Sequence, residues 1–221
     1  MKNSYKTLIV AGRRFAVSGL NNILKQITET TGTTFKIYFA NCCSEALSIL
    51  KEEPPMDLVF LDLKLTQEPK IKMYSGKDLG MVIRELYPTI TIVVVNAPND
   101  PVFIKTVANS IKPEGFFVKN EMDRPDIVSL FIYILQGNPI YSSTALRCLV
   151  HLLDVSFKLD SRDVQLLREL DNGHTLKKIG ELISLSQSAV SKRKRKLKLL
   201  LGVPDGNDRD LIKRALVLGF I

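Results

Sequence analysis

The chain has 221 residues, of which 45% are hydrophobic and 24% charged, as in globular proteins with a core in one large domain or two small ones. Three cysteines (Cys42, Cys43, Cys148) and two histidines (His151, His174) fit neither a disulfide framework nor a zinc spacing, so we expect no metal site and no cofactor. No apolar stretch reaches the roughly 18 residues of a membrane helix, and the first residues do not resemble a signal peptide, so we expect a cytoplasmic protein without a membrane partner.

Residues 1–137 alternate short apolar runs with amphipathic stretches. The runs are rich in β-branched and aromatic residues, as in strands buried on both faces, and cover 7–11, 35–39, 58–61, 91–95 and 115–118. Helices are predicted between and after them at 14–31, 44–51, 75–86, 102–110 and 125–135, the second capped by Ser44. Five such units predict an α/β domain with a five-stranded, doubly wound parallel sheet of the flavodoxin-like kind. Functional residues in such sheets lie at the carboxyl ends of the strands.

The pattern becomes purely helical after residue 137. Residues 138–158 are predicted to form a helix over Ser143–Leu153 and a short linker. Residues 159–221 are predicted to form an all-α domain of four helices, at about 161–171, 175–183, 186–201 and 208–218. Three residues occupy N-cap positions and two glycines occupy helix ends: Ser161, Thr175, Ser186, Gly173 and Gly202.

The net charge of +8 is concentrated near the end of the sequence. From Lys158 onward there are 14 basic and 8 acidic residues, for a charge of +6, against 17 and 15 in the rest, for +2. This asymmetry favours a polyanionic partner for the last domain, nucleic acid before membrane.

The segment Leu185–Leu201 carries the strongest local signal, because six of the seven residues 192–198 are basic. Its apolar residues share one helical face, so the helix can pack on a core: Val190, Leu197, Leu200 and Leu201. The opposite face and first turn carry polar and basic residues: Ser186, Gln187, Ser188, Ser191, Lys192 and Arg195. A turn at Ser184-Leu185 joins this helix to the preceding one with helix-turn-helix spacing, which predicts insertion into the DNA major groove. A merely solvated basic face is favoured less, because the basic run lies on the second helix of a helix-turn-helix. Docking on a membrane or a calmodulin-like protein is also favoured less, since the apolar face is needed for the domain core.

The order of these motifs resembles the LuxR/NarL-type DNA-binding domain. The similarity covers about 60 residues and is carried by 159–167, 173–180, 185–190, 201–203 and 215–221. The resemblance implies double-stranded DNA as the partner, contacted by Lys177, Gln187, Ser188, Ser191, Lys192 and Arg195. Two positions depart from the family pattern: Ala189 stands where threonine is usual, and Arg193 where histidine is frequent. The resemblance therefore does not extend to base preference.

The first half resembles the receiver domain of response regulators, and a receiver followed by a LuxR-type domain is the order of the NarL family. The similar segments are Val59–Leu63 with the phosphoacceptor position Asp62, Tyr74–Leu79, Gly115–Lys119 and Gly137–Ser142. Together the two resemblances cover nearly the whole chain.

The receiver chemistry is incomplete in this sequence. Phosphoryl transfer to an aspartate needs Mg²⁺, held by an acidic pair after the first strand as well as by the acceptor. Here Ala11 and Gly12 occupy the positions of that pair, followed by Arg13, and Asn96 replaces the switch hydroxyl. Only Asp62 and Lys119 remain of the set that the resemblance implies. We therefore interpret the site as a degenerate phosphorylation site.

Three interpretations of Asp62 stay open at this point. Arg13 or Lys119 pairs with it and replaces the charge of the metal, which is our hypothesis. Alternatively Asp62 is a remnant with solvent contacts, or it still accepts phosphate weakly. Without phosphate the domain needs another role, as a dimerisation platform or as the binding site of a regulatory protein or small ligand.

The leading interpretation is a sequence-specific DNA-binding transcription regulator that is controlled without aspartyl phosphorylation. The alternatives are a two-component response regulator phosphorylated on Asp62 and an adaptor that binds DNA only as a heterodimer. An enzyme is not expected, because there is no Gly-rich phosphate loop, nucleophile elbow or histidine dyad. We expect a homodimer, formed through residues 96–101 and the helix after them, the face that receivers often use.

Overall fold

A computed structural model describes residues 2–12, 14–53 and 55–221, apart from the side chains of 14–16, 151–154, 156 and 157. The chain divides into two compact units, Met1–Leu149 and Val150–Ile221. The boundary between them falls inside the segment 138–158 that was predicted to connect two domains. Within the described residues, no helix is both long enough and apolar enough to cross a membrane.

The first unit contains one parallel sheet of six strands in the order β2-β1-β3-β4-β5-β6. The strands are β1 Ser4–Val10, β2 Thr34–Ala40, β3 Leu58–Asp62, β4 Thr91–Ala97, β5 Gly115–Val118 and β6 Ile140–Tyr141. The prediction of five strands was wrong by one. The sixth strand has only two residues, too few to show an alternating pattern, and it forms because Ile140 and Tyr141 pair with the edge of β5.

Helices cover both faces of this sheet, as the doubly wound prediction requires. They are α1 Arg14–Thr31, α2 Cys43–Glu52, α3 Gly76–Leu86, α4 Pro101–Ile111 and α5 Ile127–Leu135. Leu58 and Phe60 of β3 pack in one core with residues of α1 and α5, whereas Val59 and Leu61 pack in another with residues of α2, α3 and α4. A short 3₁₀ helix, Pro69–Ile71, lies between β3 and α3 and was not predicted.

The predicted N-cap of α2 is wrong. The helix begins at Cys43 with Cys42 as its N-cap, and Ser44 lies in the first turn. There the Ser44 N–H and hydroxyl donate hydrogen bonds of 3.0 and 2.6 Å to the carboxylate of Glu68. A carboxylate from another loop thus binds the first-turn donors, which a rule based on neighbouring residues cannot anticipate.

Four helices of the second unit follow α6 (Ser143–Lys158), which ends five residues later than predicted. They are α7 Ser161–Asp171, α8 Leu176–Leu182, α9 Gln187–Leu200 and α10 Asp208–Leu218. The caps at Thr175 and Ser186 are confirmed, because their hydroxyls accept the N–H groups of Lys178 and Ala189. The cap predicted at Ser161 is wrong, since Asp160 caps α7 in a reciprocal capping box with Asp163.

Candidate nucleic-acid interface and receiver site

A tight turn joins α8 to α9 and fixes the position of α9. The Leu185 N–H donates a hydrogen bond of 2.9 Å to the Gly180 carbonyl, and Ser184 between the helices has a left-handed φ of 55°. A Cβ atom on Gly180 would lie 2.5 Å from the Leu185 carbonyl oxygen, so the turn can approach α8 this closely only at glycine. The helix-turn-helix predicted from spacing is therefore present in the second unit.

One face of α9 packs on the core of that unit. Val190 and Leu197 are fully buried, Leu201 just after the helix is nearly so, and Leu200 is partly buried. The helix contacts both α7 and α8. Packing of these side chains determines which face of α9 remains exposed.

The side chains that sequence reasoning assigned to DNA contact are all exposed. They are Lys177 on α8, the N-cap Ser186, and Gln187, Ser188, Ser191, Lys192 and Arg195 on α9. The Ser186 hydroxyl accepts the Ala189 N–H at 3.2 Å and lies 3.0 Å from the Ser188 hydroxyl. Within the described part of the chain, no carboxylate lies within 4.0 Å of the charged groups of Lys192 and Arg195. These two cations are therefore available to an external anion.

Other cations of α9 are bound inside the unit. The Arg193 guanidinium donates from Nη1 to Asp163 Oδ1 at 2.6 Å and to Asp160 Oδ2 at 2.8 Å. Lys194 and Lys198 lie 2.9 and 3.4 Å from the carboxylate of Asp208. Sequence reasoning missed these contacts, because the partners lie 10 to 33 residues away along the chain. The one sequence feature that could have indicated these ion pairs is the presence of acidic residues, such as Asp208, in an otherwise basic domain.

Three groups in these ion pairs have a shifted pKa: Asp160, Arg193 and Asp208. Partial burial raises the pKa of Asp160, but hydrogen bonds from Arg193 and the Asp163 N–H outweigh it and hold the pKa below the ordinary aspartate value. Hydrogen bonds to both carboxylates raise the pKa of Arg193. For Asp208, burial raises the pKa, and the neighbouring Lys194 and Lys198 lower it by more. Asp160, Arg193 and Asp208 are therefore charged at neutral pH.

In the first unit, Asp62 ends β3 at the carboxyl edge of the sheet and is 3% exposed. Its Oδ1 accepts the Lys64 N–H at 2.8 Å, and its Oδ2 accepts a hydrogen bond from the Asn96 side-chain amide at 3.3 Å. Asn96 has a left-handed φ of 56°. The structure thus brings together two of the residues predicted for the degenerate phosphorylation site.

The other residues predicted for the degenerate phosphorylation site carry no carboxylate. Ala11 is buried, with its N–H bonded to the Ala40 carbonyl, and Gly12 is exposed. Lys119 follows β5 with an exposed side chain, and its N–H donates to the Ala97 carbonyl at 2.9 Å. Arg13, whose pairing with Asp62 was predicted, lies outside the described residues.

The side chains at this edge do not supply the oxygen ligands required by Mg²⁺, the metal that the receiver resemblance implies. Ala11 and Gly12 offer only backbone atoms where two carboxylates would be needed, and one Asp62 oxygen already accepts an amide N–H. In the described ranges, no three His, Cys, Asp or Glu side chains lie close enough to hold a metal ion.

The outer edge of β5 is paired with the chain segment that leads into α6. The N–H groups of Ile140 and Ser142 donate to the carbonyls of Glu114 and Phe116, each at 2.8 Å. Ala145 of α6 is fully buried in the core that includes residues of α4. Every residue of α4 except Asn109 is at least partly buried. The start of α6 thus packs in the same core as residues of α4.

No protein-family profile matches the sequence, and no curated protein matches it significantly. Solved structures do share its fold. The response regulator RcsB from Salmonella typhimurium is 18% identical, with a TM-score of 0.68 over 96% of this chain and 98% of that chain. The RcsB–DNA complex of a two-component response regulator is 19% identical, with a TM-score of 0.62 over 97% and 99%. At these identities the similarity shows the fold alone, a receiver-like unit followed by a helix-turn-helix unit.

Proposed function

We propose that this chain is a sequence-specific DNA-binding transcription regulator, not an enzyme. One observation carries the proposal. The first turns of α9 expose small polar side chains and the cations Lys192 and Arg195, which have no carboxylate of the described residues within 4.0 Å, while the opposite face of the same helix is buried on its own unit. A rigidly seated helix with this surface suits insertion of its N-terminal part into the major groove.

The exposed side chains divide by the chemistry they offer. Gln187, Lys192 and Arg195 can donate hydrogen bonds to base edges or phosphates, and the serines of the first turn suit phosphate oxygens. Lys177, at the start of α8, is exposed and suits a phosphate on the flanking backbone. Contacts to phosphate supply affinity and register, whereas contacts to bases supply specificity.

We further propose that the chain binds double-stranded DNA as a homodimer. One solved structure with the same fold, with a TM-score of 0.61 and 19% identity, is of two RcsB dimers bound to two parallel DNAs. A symmetric dimer would place two α9 helices on half-sites about 34–36 Å apart. We keep residues 96–101 and α4 as the proposed dimer contact.

The experiment is selection of duplexes from a random library by the full chain, followed by anisotropy titration of the selected duplex. Lys192→Glu should weaken binding by at least about 1–3 kcal/mol. Lys51→Glu on α2 is the control, because it makes the same charge change at an exposed position of the first unit. Equal affinity of the Lys192 variant and the control would contradict the placement of the recognition helix.

The receiver-like unit is proposed to act without aspartyl phosphorylation. The support is the Asp62 carboxylate, buried and bonded to the Lys64 N–H and the Asn96 amide, with no neighbouring acidic pair at Ala11 and Gly12. We keep our hypothesis that Arg13 or Lys119 balances the charge of Asp62. The alternative is a response regulator phosphorylated on Asp62.

Treatment with acetyl phosphate or beryllofluoride and Mg²⁺, read by intact mass and by NMR shifts, separates these two possibilities. We expect no modification and no saturable shift. Stoichiometric modification of Asp62, or Mg²⁺ binding below about 1 mM, would favour the alternative.

A further inference from the structure

The basic residues of α9 fall into two groups with different surroundings. Arg193, Lys194 and Lys198 are bound to carboxylates of their own unit at 2.6 to 3.4 Å. Lys192 and Arg195 are exposed, and the described residues place no carboxylate within 4.0 Å of either. Lys196 stands between the two groups, because its side chain is 53% exposed and its ammonium lies 4.0 Å from the Asp163 carboxylate. The run of positive charge is therefore not one uniform DNA-binding surface.

The ion-paired cations of α9 lie on both sides of its buried residues, Val190 and Leu197. Successive residues of an α-helix are rotated by about 100°, so Arg193 and Lys194 fall on opposite sides of the line through Val190 and Leu197. On one side Arg193 reaches the N-terminus of α7, and on the other Lys194 and Lys198 reach the N-terminus of α10. Two separate attachments of this kind resist rotation of α9 about its own axis.

Arg193 makes the stronger of the two attachments. Its Asp163 partner is fully buried, and the same guanidinium nitrogen also binds Asp160, the N-cap of α7. Without Arg193, the described contacts of the Asp163 side chain are the Asp160 N–H at 3.2 Å and Lys196 at 4.0 Å. A buried carboxylate that loses its cation destabilises the surrounding contacts strongly.

We propose that Arg193 is a positioning residue for DNA recognition, which sets the rotation of α9 and thereby aims Lys192 and Arg195 at the DNA. This inference rests on the proposed function and deepens it. Arg193, Lys194 and Lys198 do not neutralise phosphates. The cations that do are Lys192, Arg195 and Lys196 of α9 together with Lys177 of α8.

The test compares Arg193→Gln with Lys192→Gln, which remove one positive charge each from the same helix. The measurements are the slope of log K against log salt and the ratio of affinities for selected and random duplexes. Lys192→Gln should reduce the magnitude of the slope by about 0.9 per subunit, since one phosphate contact is lost. Arg193→Gln should leave the slope unchanged and lower the affinity ratio about tenfold, the scale of one misaligned base contact.

A second variant keeps the test decisive should Arg193→Gln fail to fold. Asp160→Asn preserves a good N-cap and removes one of the two carboxylates that hold Arg193, at a side chain that is 53% exposed. Removal of a negative charge would by itself tighten DNA binding. If Arg193 positions α9, Asp160→Asn should instead reduce specificity: the ratio of affinities for selected and random duplexes should fall by about threefold. Arg193→Lys, which keeps the charge, should restore most of the ratio.

The outcomes separate failure of this inference from failure of the proposed function. A slope reduced equally by Arg193→Gln and Lys192→Gln would make Arg193 a phosphate contact and overturn the inference, as would an unchanged affinity ratio in both Arg193→Gln and Asp160→Asn. Failure of the unmodified chain to bind duplex DNA would instead contradict the proposed function. The attachment itself would then still be measurable as faster amide exchange in α9 of the Arg193→Gln variant.

Discussion

Replacement of Gly180 by alanine tests how closely the turn packs on α8. The new Cβ atom would lie 2.5 Å from the Leu185 carbonyl oxygen, against about 3.4 Å for ordinary contact, so the turn must move by about 0.9 Å. Overpacking of this kind costs about 1–3 kcal/mol. The hydrogen bond from the Leu185 N–H to the Gly180 carbonyl would be stretched as well, at about 1 kcal/mol. Alanine regains about 1 kcal/mol of helix propensity, which leaves a net loss of about 2 kcal/mol.

Amide hydrogen exchange by mass spectrometry measures this loss locally. Peptides that cover α8 and α9 should exchange about 30-fold faster in Gly180→Ala, the equivalent of about 2 kcal/mol. Gly19→Ala is the matched control, because Gly19 is an exposed glycine inside α1, and a Cβ atom added to it would have no neighbouring atom within 4 Å. That control should stabilise the first unit by about 0.5–1 kcal/mol. Protection of α8 and α9 that is unchanged or increased in Gly180→Ala would refute the argument from close packing.

Three further predictions concern contacts inside each unit. Arg84→Ala should destabilise the first unit by about 3 kcal/mol in urea unfolding, because the Arg84 guanidinium donates to four backbone carbonyls and a carboxylate; a loss below about 1 kcal/mol would contradict this. Folding lowers the pKa of Asp160, so ionised Asp160 stabilises the second unit. This contribution is complete at pH above the pKa of unfolded aspartate, near about 3.9, and is lost as the pH falls through the lower pKa of the folded state. NMR titration should show that pKa rising in Arg193→Gln, and an unchanged value would argue against the ion pair. Glu121→Ala should cost about 1 kcal/mol and speed amide exchange at the start of α6, where its carboxylate accepts the Thr144 N–H; unaltered exchange would count against that contact.

Local chemistry was the part of the second unit that the sequence predicted best. The caps at Thr175 and Ser186 and the turns at Gly173 and Gly202 depend on residues within one helical turn of each other. The cap of α7 was misplaced by one residue, because Asp160 and Ser161 are both good caps and only the capping box with Asp163 decides between them.

Contacts between distant residues were the part that the sequence did not predict. The ion pairs of Arg193 with Asp160 and Asp163 join residues 30 or more positions apart, and nothing in the local pattern indicates which cation of the run is bound. In the first unit, β6 was missed because it is defined only by its pairing with β5. The approach of Asn96 to Asp62 likewise depends on the register of β3 and β4, where Asp62 lies opposite Val95.

The predicted dimer surface, residues 96–101 and the helix after them, stays a prediction. The helix after residues 96–101 is α4, and the start of α6 packs in the same core as residues of α4. The segment 138–158 was predicted as a helix and a short linker, and a connecting helix and a packed helix share the same amphipathic pattern. Ala145, fully buried, is the residue that distinguishes them.

The central claim is that α9 presents cations to the phosphates of duplex DNA, and a salt titration of the full chain on its selected duplex tests it most directly. With about four phosphates neutralised by each subunit of a dimer, log K should fall against log salt with a slope near −7. A nearly flat response, or no binding to duplex DNA even at low salt, would contradict the claim.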